Sequence, residues 1–191
     1  GSKFSFADKR GNGTLAYYEI TRRNIAVRDP ANPGTTIPVG QQSSRGIELA
    51  LGYQGNRSLQ VAGNIAFVDA QYDKFNESVG GVVVSRAGNR PTTVPKRVAH
   101  LWLTYSPVPA LELGADLRYV SARYADTANT LRDDAYTLVG ASASYKLNRT
   151  TRLVVRGKNL TDKIYADSFS GSTMVYLGQP RTIDLSIQSS F

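Results

Sequence analysis

The sequence predicts an all-β fold, a transmembrane antiparallel β-barrel, on three observations. Apolar and polar residues alternate with a period of two in one segment after another, which sorts side chains onto the two faces of a strand. The segments are about ten residues long, the length a tilted strand needs to cross a bilayer. The connections alternate between about four residues and roughly ten to twenty, as two rims in different compartments require.

Composition fits this reading. The chain has 191 residues, enough for one domain of roughly nine strands with their connections. Hydrophobic residues make up 41% and never run unbroken for the length of a helical span, so helical membrane crossings are excluded. A barrel strand needs only every second residue apolar. Without Cys, disulfides and thiolate metal sites drop out. Residues 1 to 30 show no signal peptide, so an exported chain has its signal upstream. A net charge of +8, from 23 Lys and Arg against 15 Asp and Glu, raises nucleic acid or anionic lipid as a partner. The basic residues form no arm or helical stripe. They alternate with apolar residues inside strands or sit in short turns, which argues against nucleic acid.

Taken in order, residues 3 to 6 end one strand and Asp8 to Gly13 make a turn. A strand follows from Thr14 to about Ile25, with Ala16, Tyr18 and Ile20 outward, although Leu15 and Tyr17 compete for that parity. Residues 28 to 44 read as a polar loop holding Pro30, Pro33, Gly34, Pro38 and Gly40. Ile47, Leu49, Leu51 and Tyr53 then oppose Glu48, Ala50, Gly52 and Gln54, and Gly55 to Ser58 form a tight turn. Leu59, Val61, Gly63, Ile65 and Phe67 oppose Gln60, Ala62 and Asn64, and after Tyr72 a long polar loop runs to about Thr92.

A strand from Val94 to Tyr105 places Ala99, Leu101, Leu103 and Tyr105 outward, and Pro107 and Pro109 close a short turn. The clearest alternation sets Leu111, Leu113, Ala115, Leu117 and Tyr119 against Glu112, Gly114, Asp116 and Arg118. A medium loop covers Asp126 to Asp134. Val139, Ala141, Ala143, Tyr145 and Leu147 form the next apolar face, with a turn at Asn148 to Thr150. Leu153, Val155 and Gly157 alternate with Arg152, Val154, Arg156 and Lys158, and the loop Ala166 to Pro180 leads to the last strand. There Ile183, Leu185, Ile187 and Phe191 share one parity, and Asp184, Ser186, Gln188 and Ser190 the other.

The charges decide which face meets lipid. An Arg or Lys turned toward lipid at mid-depth costs about 2–4 kcal/mol, so Glu112, Asp116, Arg118, Arg152 and Arg156 point inward, into water. A small soluble barrel would instead fill its interior with apolar side chains. Tyr53, Tyr105, Tyr119 and Tyr145 lie close to strand ends on the apolar face, where an interfacial aromatic girdle sits.

Several runs resemble the C-terminal barrel of TonB-dependent outer-membrane receptors. They are Arg45-Gly46-Ile47-Glu48-Leu49, Val94-Pro95-Lys96-Arg97 leading into Leu101-Trp102-Leu103-Thr104-Tyr105, and Gly114 to Tyr119. Asn159-Leu160-Thr161-Asp162-Lys163-Ile164-Tyr165 and Tyr176-Leu177-Gly178-Gln179-Pro180-Arg181 continue the pattern. The terminal Phe191 resembles the membrane-assembly signal of such barrels. Their order is most similar to that of the siderophore-receptor branch and covers essentially the whole chain.

This resemblance implies about the last nine strands of a 22-stranded barrel, residues 1–191 being the C-terminal part of the barrel domain, with the plug domain and earlier strands absent. It implies residence in the bacterial outer membrane among outer-membrane lipid and import of a ferric siderophore. The TonB complex would act through the missing N-terminal part. No cofactor, metal site or covalent chemistry is implied. Arg118, Arg152, Arg156 and Lys158 would make the lumen basic and draw in anionic complexes, or else pair with carboxylates of neighbouring strands or the plug. The long-loop residues Tyr72, Arg86, Arg90, Phe169, Met174 and Tyr176 are the candidates for direct ligand contact.

The alternatives are a small self-contained outer-membrane barrel with a structural or adhesive role, and a TonB-dependent receptor for haem or cobalamin. An enzyme is disfavoured, because His100 is the only His and lies within a strand beside Trp102. The carboxylates Asp133, Asp134 and Asp69 to Asp73 lack the spacing of a calcium loop.

Overall fold

Among the described residues nine strands pair in chain order as one antiparallel meander. The computed structural model describes residues 1–29, 34–170 and 174–190; Pro30, Pro33 and Phe191 lie outside the described residues. The strands are β1 (Ser2–Phe6), β2 (Gly11–Arg28), β3 (Thr36–Gln54), β4 (Leu59–Lys74), β5 (Asn76–Val79), β6 (Val82–Ser85), β7 (Arg97–Val108) and β8 (Leu111–Val120). They continue with β9 (Arg123–Tyr124), β10 (Arg132–Asp133), β11 (Tyr136–Lys146), β12 (Thr151–Lys158), β13 (Ala166–Ser170), β14 (Met174–Leu177) and β15 (Thr182–Ser189). The main sheet runs β1-β2-β3-β4-β7-β8-β11-β12-β15. The other six strands form three small hairpins, β5–β6, β9–β10 and β13–β14. All three lie in long connections, hence at one rim, while the tight turns after β1, β3, β7 and β11 make the other.

Register carries one apolar face across the sheet. Tyr53, Val61, Leu103, Ala115, Ala141, Gly157 and Ile183 stand opposite one another from β3 to β15, and directly opposed residues share a face. The polar face holds Asn64, His100 and Arg118 in one such row. Ile183, Leu185 and Ile187 remain 69 to 70% exposed, and no large side chain among the described residues is fully buried. Among the described residues no second layer covers this face; hydrocarbon is the neighbour that would satisfy it.

The structure corrects the parity of β2. Leu15 stands opposite Leu49 and Tyr17 opposite Ile47, so Leu15 and Tyr17 lie on the lipid face, while Ala16, Tyr18 and Ile20 face inward opposite Glu48, Gly46 and Ser44. The alternation is blurred because Tyr18 is an inward aromatic that lies across Gly46, where an added Cβ would fall 2.7 Å from its ring. Only the neighbouring strand breaks such a tie.

Residues 36 to 44 are strand rather than loop. The β2–β3 hairpin outruns the apolar band, and its polar residues belong to a ladder standing in water. Pro38 fits there because β4 ends at Lys74, opposite Gln41, so the upper part of β3 lacks a partner on that side. Register shifts at Ile25 and Ala26 bend the same region. The strand expected from Val94 begins at Arg97, and the three later loops contain the small hairpins.

Candidate functional site

Glycines of the sheet aside, the buried residues gather at the rim of the long connections. Ala70, Tyr72, Val120, Ala125, Tyr136 and Ala166 are buried there, together with the polar Arg90, Ser121, Arg123 and Asn159. In the membrane band the sheet is one layer thick. At this rim the loops pack on one another and on the strand tops.

Hydrogen bonds between distant segments make that packing. Arg123, at the start of β9, donates from Nε to Asp133 at 3.0 Å and from Nη2 to the carbonyls of Ala166 at 2.6 Å and Asp167 at 3.2 Å. Its guanidinium also lies 5.4 Å from the ring centroid of Phe169, within cation–π range. One buried cation thus joins β9, β10 and β13. The Glu77 carboxylate accepts from Arg86 at 2.6 Å and from the Thr127 hydroxyl at 2.7 Å, joining β5 to the loop before β10. Arg90 N–H donates to the Asn129 side chain at 2.8 Å, and the Asn129 amide donates back to the Arg90 carbonyl at 2.9 Å.

The run Asn159 to Arg181 closes the last loop. The Asn159 amide donates to the carbonyls of Lys163 and Gln179, each at 2.9 Å, while its oxygen accepts from Lys163 N–H. Its φ of 47° is the left-handed conformation that Asn tolerates. Asp162 accepts from the Arg181 N–H at 3.0 Å. The Tyr165 ring covers Gly178, where any side chain would collide with it, and packs at a tilt of 34° against Tyr136, with ring centroids 4.6 Å apart.

Between the three hairpins lies a cleft of about 600 Å³, whose walls include Glu77, Arg86, Asp126, Thr127, Leu131 and Phe169. Burial raises the Asp126 carboxyl, but hydrogen bonds from Leu131 N–H and from the Thr130 hydroxyl and N–H outweigh it and hold the group below the usual carboxylate range. Asp126 is therefore an anion at neutral pH, and it organises the loop at the cleft wall.

Of the residues expected to touch ligand, Arg86 and Phe169 line this cleft. Met174 and Tyr176 stand on β14, opposite Ser170 and Ser168, each about half exposed. Tyr72 is buried, stacks on Phe75 at 4.6 Å and is not among the residues that line the cleft. Arg90 is 8% exposed and spent on the loop: it donates to the Val68 carbonyl at 3.3 Å and lies 3.8 Å from Asp69. Burial lowers its pKa, and the Asp69 charge opposes that shift. Arg118, Arg152, Arg156 and Lys158 all occupy the polar face by register. Lys158 pairs with Asp184 at 3.4 Å, and Arg156 stands opposite that same Asp184. His100 stacks on Trp102 at 5.3 Å on that face.

A sheet with a lipid face, a charged inner face and loops knit together at one rim defines an outer-membrane barrel of the receptor type. The chain belongs to the TonB-dependent receptor β-barrel family: residues 1–160 match the family described as TonB dependent receptor-like, beta-barrel, and the relatives are bacterial outer-membrane proteins. It is 31% identical over 169 residues to the probable TonB-dependent siderophore receptor PiuA of Acinetobacter baumannii, covering 86% of this chain and 22% of that protein. It is 28% identical to the ferrichrome outer membrane transporter/phage receptor of Escherichia coli K12, covering 96% and 24%. The crystal structure of PiuA superposes with a TM-score of 0.86 at 28% identity over 98% of this chain and 27% of that one. The chain thus spans about a quarter of the length of these relatives.

Proposed function

We propose that this chain is the C-terminal part of the barrel domain of an outer-membrane receptor that binds and imports ferric siderophores. Energy would come from the TonB complex, acting through a plug-bearing N-terminal part. The observation that carries the reading is the cleft among the three outer hairpins, set above a polar wall containing Arg118, Arg152, Arg156 and Lys158. A cleft of that size suits a drug-sized chelate, and the cationic wall favours an anionic ferric complex. The relatives named for siderophores support the same cargo.

In this reading Arg86 and Phe169 form the cleft wall, and Met174 and Tyr176 reach ligand from β14. The ferric siderophore is cargo, no resident cofactor takes part, and no bond is made or broken. The experiment is growth and radiolabelled-iron uptake in cells lacking this receptor, supplied with ferric siderophores, haem or cobalamin one at a time. Loss of uptake of one ferric siderophore, restored by the gene, supports the reading. Loss of haem or cobalamin uptake alone overturns it.

A further inference from the structure

The rim of the three hairpins stands beyond the apolar band, yet it carries exposed hydrocarbon. Val79, Val82, Leu131 and Val175 are 47 to 65% exposed. Lipid does not reach them at that height, and apolar surface left open to water in this way marks a binding surface.

Register turns these side chains to one place. The β5–β6 hairpin closes through Gly80 and Gly81, with φ of 60° and 83°, the left-handed pair that suits a two-residue loop between twisted strands. Val79 therefore stands opposite Val82, and directly opposed residues share a face. Val79 lines the cleft of about 600 Å³ between the hairpins, so Val82 stands on the cleft side as well. In the β13–β14 hairpin Phe169 lines the same cleft and stands opposite Val175. Leu131, just before β10, completes the set. Each of the three hairpin loops thus contributes apolar surface to one cleft.

The charges of the lining are already spent. Glu77 Oε1 accepts from Arg86 Nε at 2.9 Å and Nη2 at 2.6 Å, and its Oε2 accepts from the Thr127 hydroxyl at 2.7 Å. Both oxygens of Asp126 accept from Thr130, and one also accepts from Leu131 N–H. A ligand that competed for these groups would break the bonds that hold the loops together. What the cleft offers instead is hydrocarbon.

From this we infer that the cleft selects an amphiphilic ferric chelate, whose acyl arm lies against Val79, Val82, Leu131, Phe169 and Val175 while its iron-binding head faces the cationic wall. A compact hydrophilic chelate would leave those five side chains wet, whereas ligand pockets are lined mainly by apolar groups that the ligand covers. Phe169 is the fixed end of the set, because the Arg123 guanidinium lies over its ring. The inference rests on the cargo reading above and narrows it from ferric siderophores at large to those with a hydrocarbon arm.

The test uses the full receptor in the outer membrane of energy-poisoned cells, as wild type, V79S/V175S, and the control V83S, whose side chain stands on the other face of the β5–β6 hairpin. Each is titrated with radiolabelled-iron complexes of two synthetic heads, a trihydroxamate and a tricatecholate, bearing either an acetyl or a hexanoyl group. Binding by cells without the receptor is subtracted to remove partition into the membrane, and immunoblots check that every variant is present in equal amount. Each methylene buried tightens binding about fourfold. The expected result, for at least one head, is a hexanoyl form bound about tenfold or more tighter than the acetyl form by wild type and V83S, and less than about threefold tighter by V79S/V175S. Equal binding of the two forms by wild type, as when another segment of the receptor already fills the cleft, overturns the inference and leaves the cargo reading standing. So does a preference that V79S/V175S keeps or that V83S loses. Absence of binding by all four complexes also overturns it, and the uptake experiment above then tells whether the cargo reading falls with it.

Discussion

Arg123 donates from Nη2 to the carbonyl of Ala166 at 2.6 Å, across 43 residues of chain. The strand top after β8 is thereby locked to the base of the β13–β14 hairpin. The same guanidinium holds Asp133 and covers Phe169, so the shape of the outer cleft depends on one buried cation.

Replacing Arg123 with Gln should open the rim without unfolding the sheet. Hydrogen bonds to charged groups are worth about 1.5–3 kcal/mol, and every 1.4 kcal/mol is about tenfold in an equilibrium. Limited proteolysis within the loop between β12 and β15 should accelerate about ten- to a hundredfold, provided cleavage follows the open population. Heat-dependent gel mobility should be unchanged. Wild-type cleavage rates would refute the clamp.

The corrected face of β2 makes opposite demands on neighbouring positions. Leu15→Arg places a cation in lipid and should destabilise the barrel by about 2–4 kcal/mol near mid-depth, read as a lower midpoint of unfolding in denaturant. Ala16→Arg turns its cation inward opposite Glu48 and should be close to neutral. Reversal of the two would restore the alternative parity.

How far the sequence discloses this fold is visible by comparing β8 with β2. On β8 each apolar position from Leu111 to Tyr119 is matched by a small or charged one, so two-residue periodicity assigns both faces. On β2, Tyr17 and Tyr18 are equally suited to either face, and the choice falls to pairing with β3, which local pattern does not contain. The upper reaches of β2 and β3 mix polar and apolar residues with no period of two, as in Arg22-Arg23-Asn24-Ile25-Ala26 and Gln41-Gln42-Ser43-Ser44, so alternation fades although the ladder continues. The rim clamps are less legible still. Asn89, Arg123, Asn129 and Asn159 act through partners 20 to 43 residues away, and nothing local distinguishes them from ordinary loop residues. The signals available are the runs Asn159 to Tyr165 and Tyr176 to Arg181, which the structure explains as the two sides of the closure of the last loop.

Acid should loosen the loop around Asp126. Its carboxyl lies below the usual carboxylate range in the folded chain, so its stabilising contribution is fully present above the unfolded pKa. That contribution is lost as pH falls through the depressed folded value. Hydrogen exchange at the amides of Thr130 and Leu131, corrected for intrinsic rates, should be slow at pH 7 and become faster below about pH 4. Asp126→Asn should remove most of that dependence. A pH-independent loop in the wild type would contradict the assignment.

Removing the aromatics of the last hairpin should weaken ligand capture. Phe169→Ala with Tyr176→Ala takes one ring from the cleft wall and one from β14. The concentration of ferric siderophore giving half-maximal uptake should rise about tenfold, given about 1–2 kcal/mol for two partly exposed aromatic contacts. Receptor abundance in the outer membrane should stay constant. Unchanged uptake would remove this hairpin from the binding surface.

The most direct test of the account is which rim meets the outside. These 191 residues hold no Cys, so in a receptor with any Cys outside them replaced by Ser, a single Cys at Val82, exposed in the β5–β6 hairpin, or at Arg57, in the turn after β3, reports its own side of the membrane. Intact cells are treated with a membrane-impermeant maleimide. The account requires V82C to be labelled at once and R57C only after the outer membrane is permeabilised. Labelling of R57C in intact cells, or protection of V82C, would contradict an outer-membrane barrel with its hairpin rim outward.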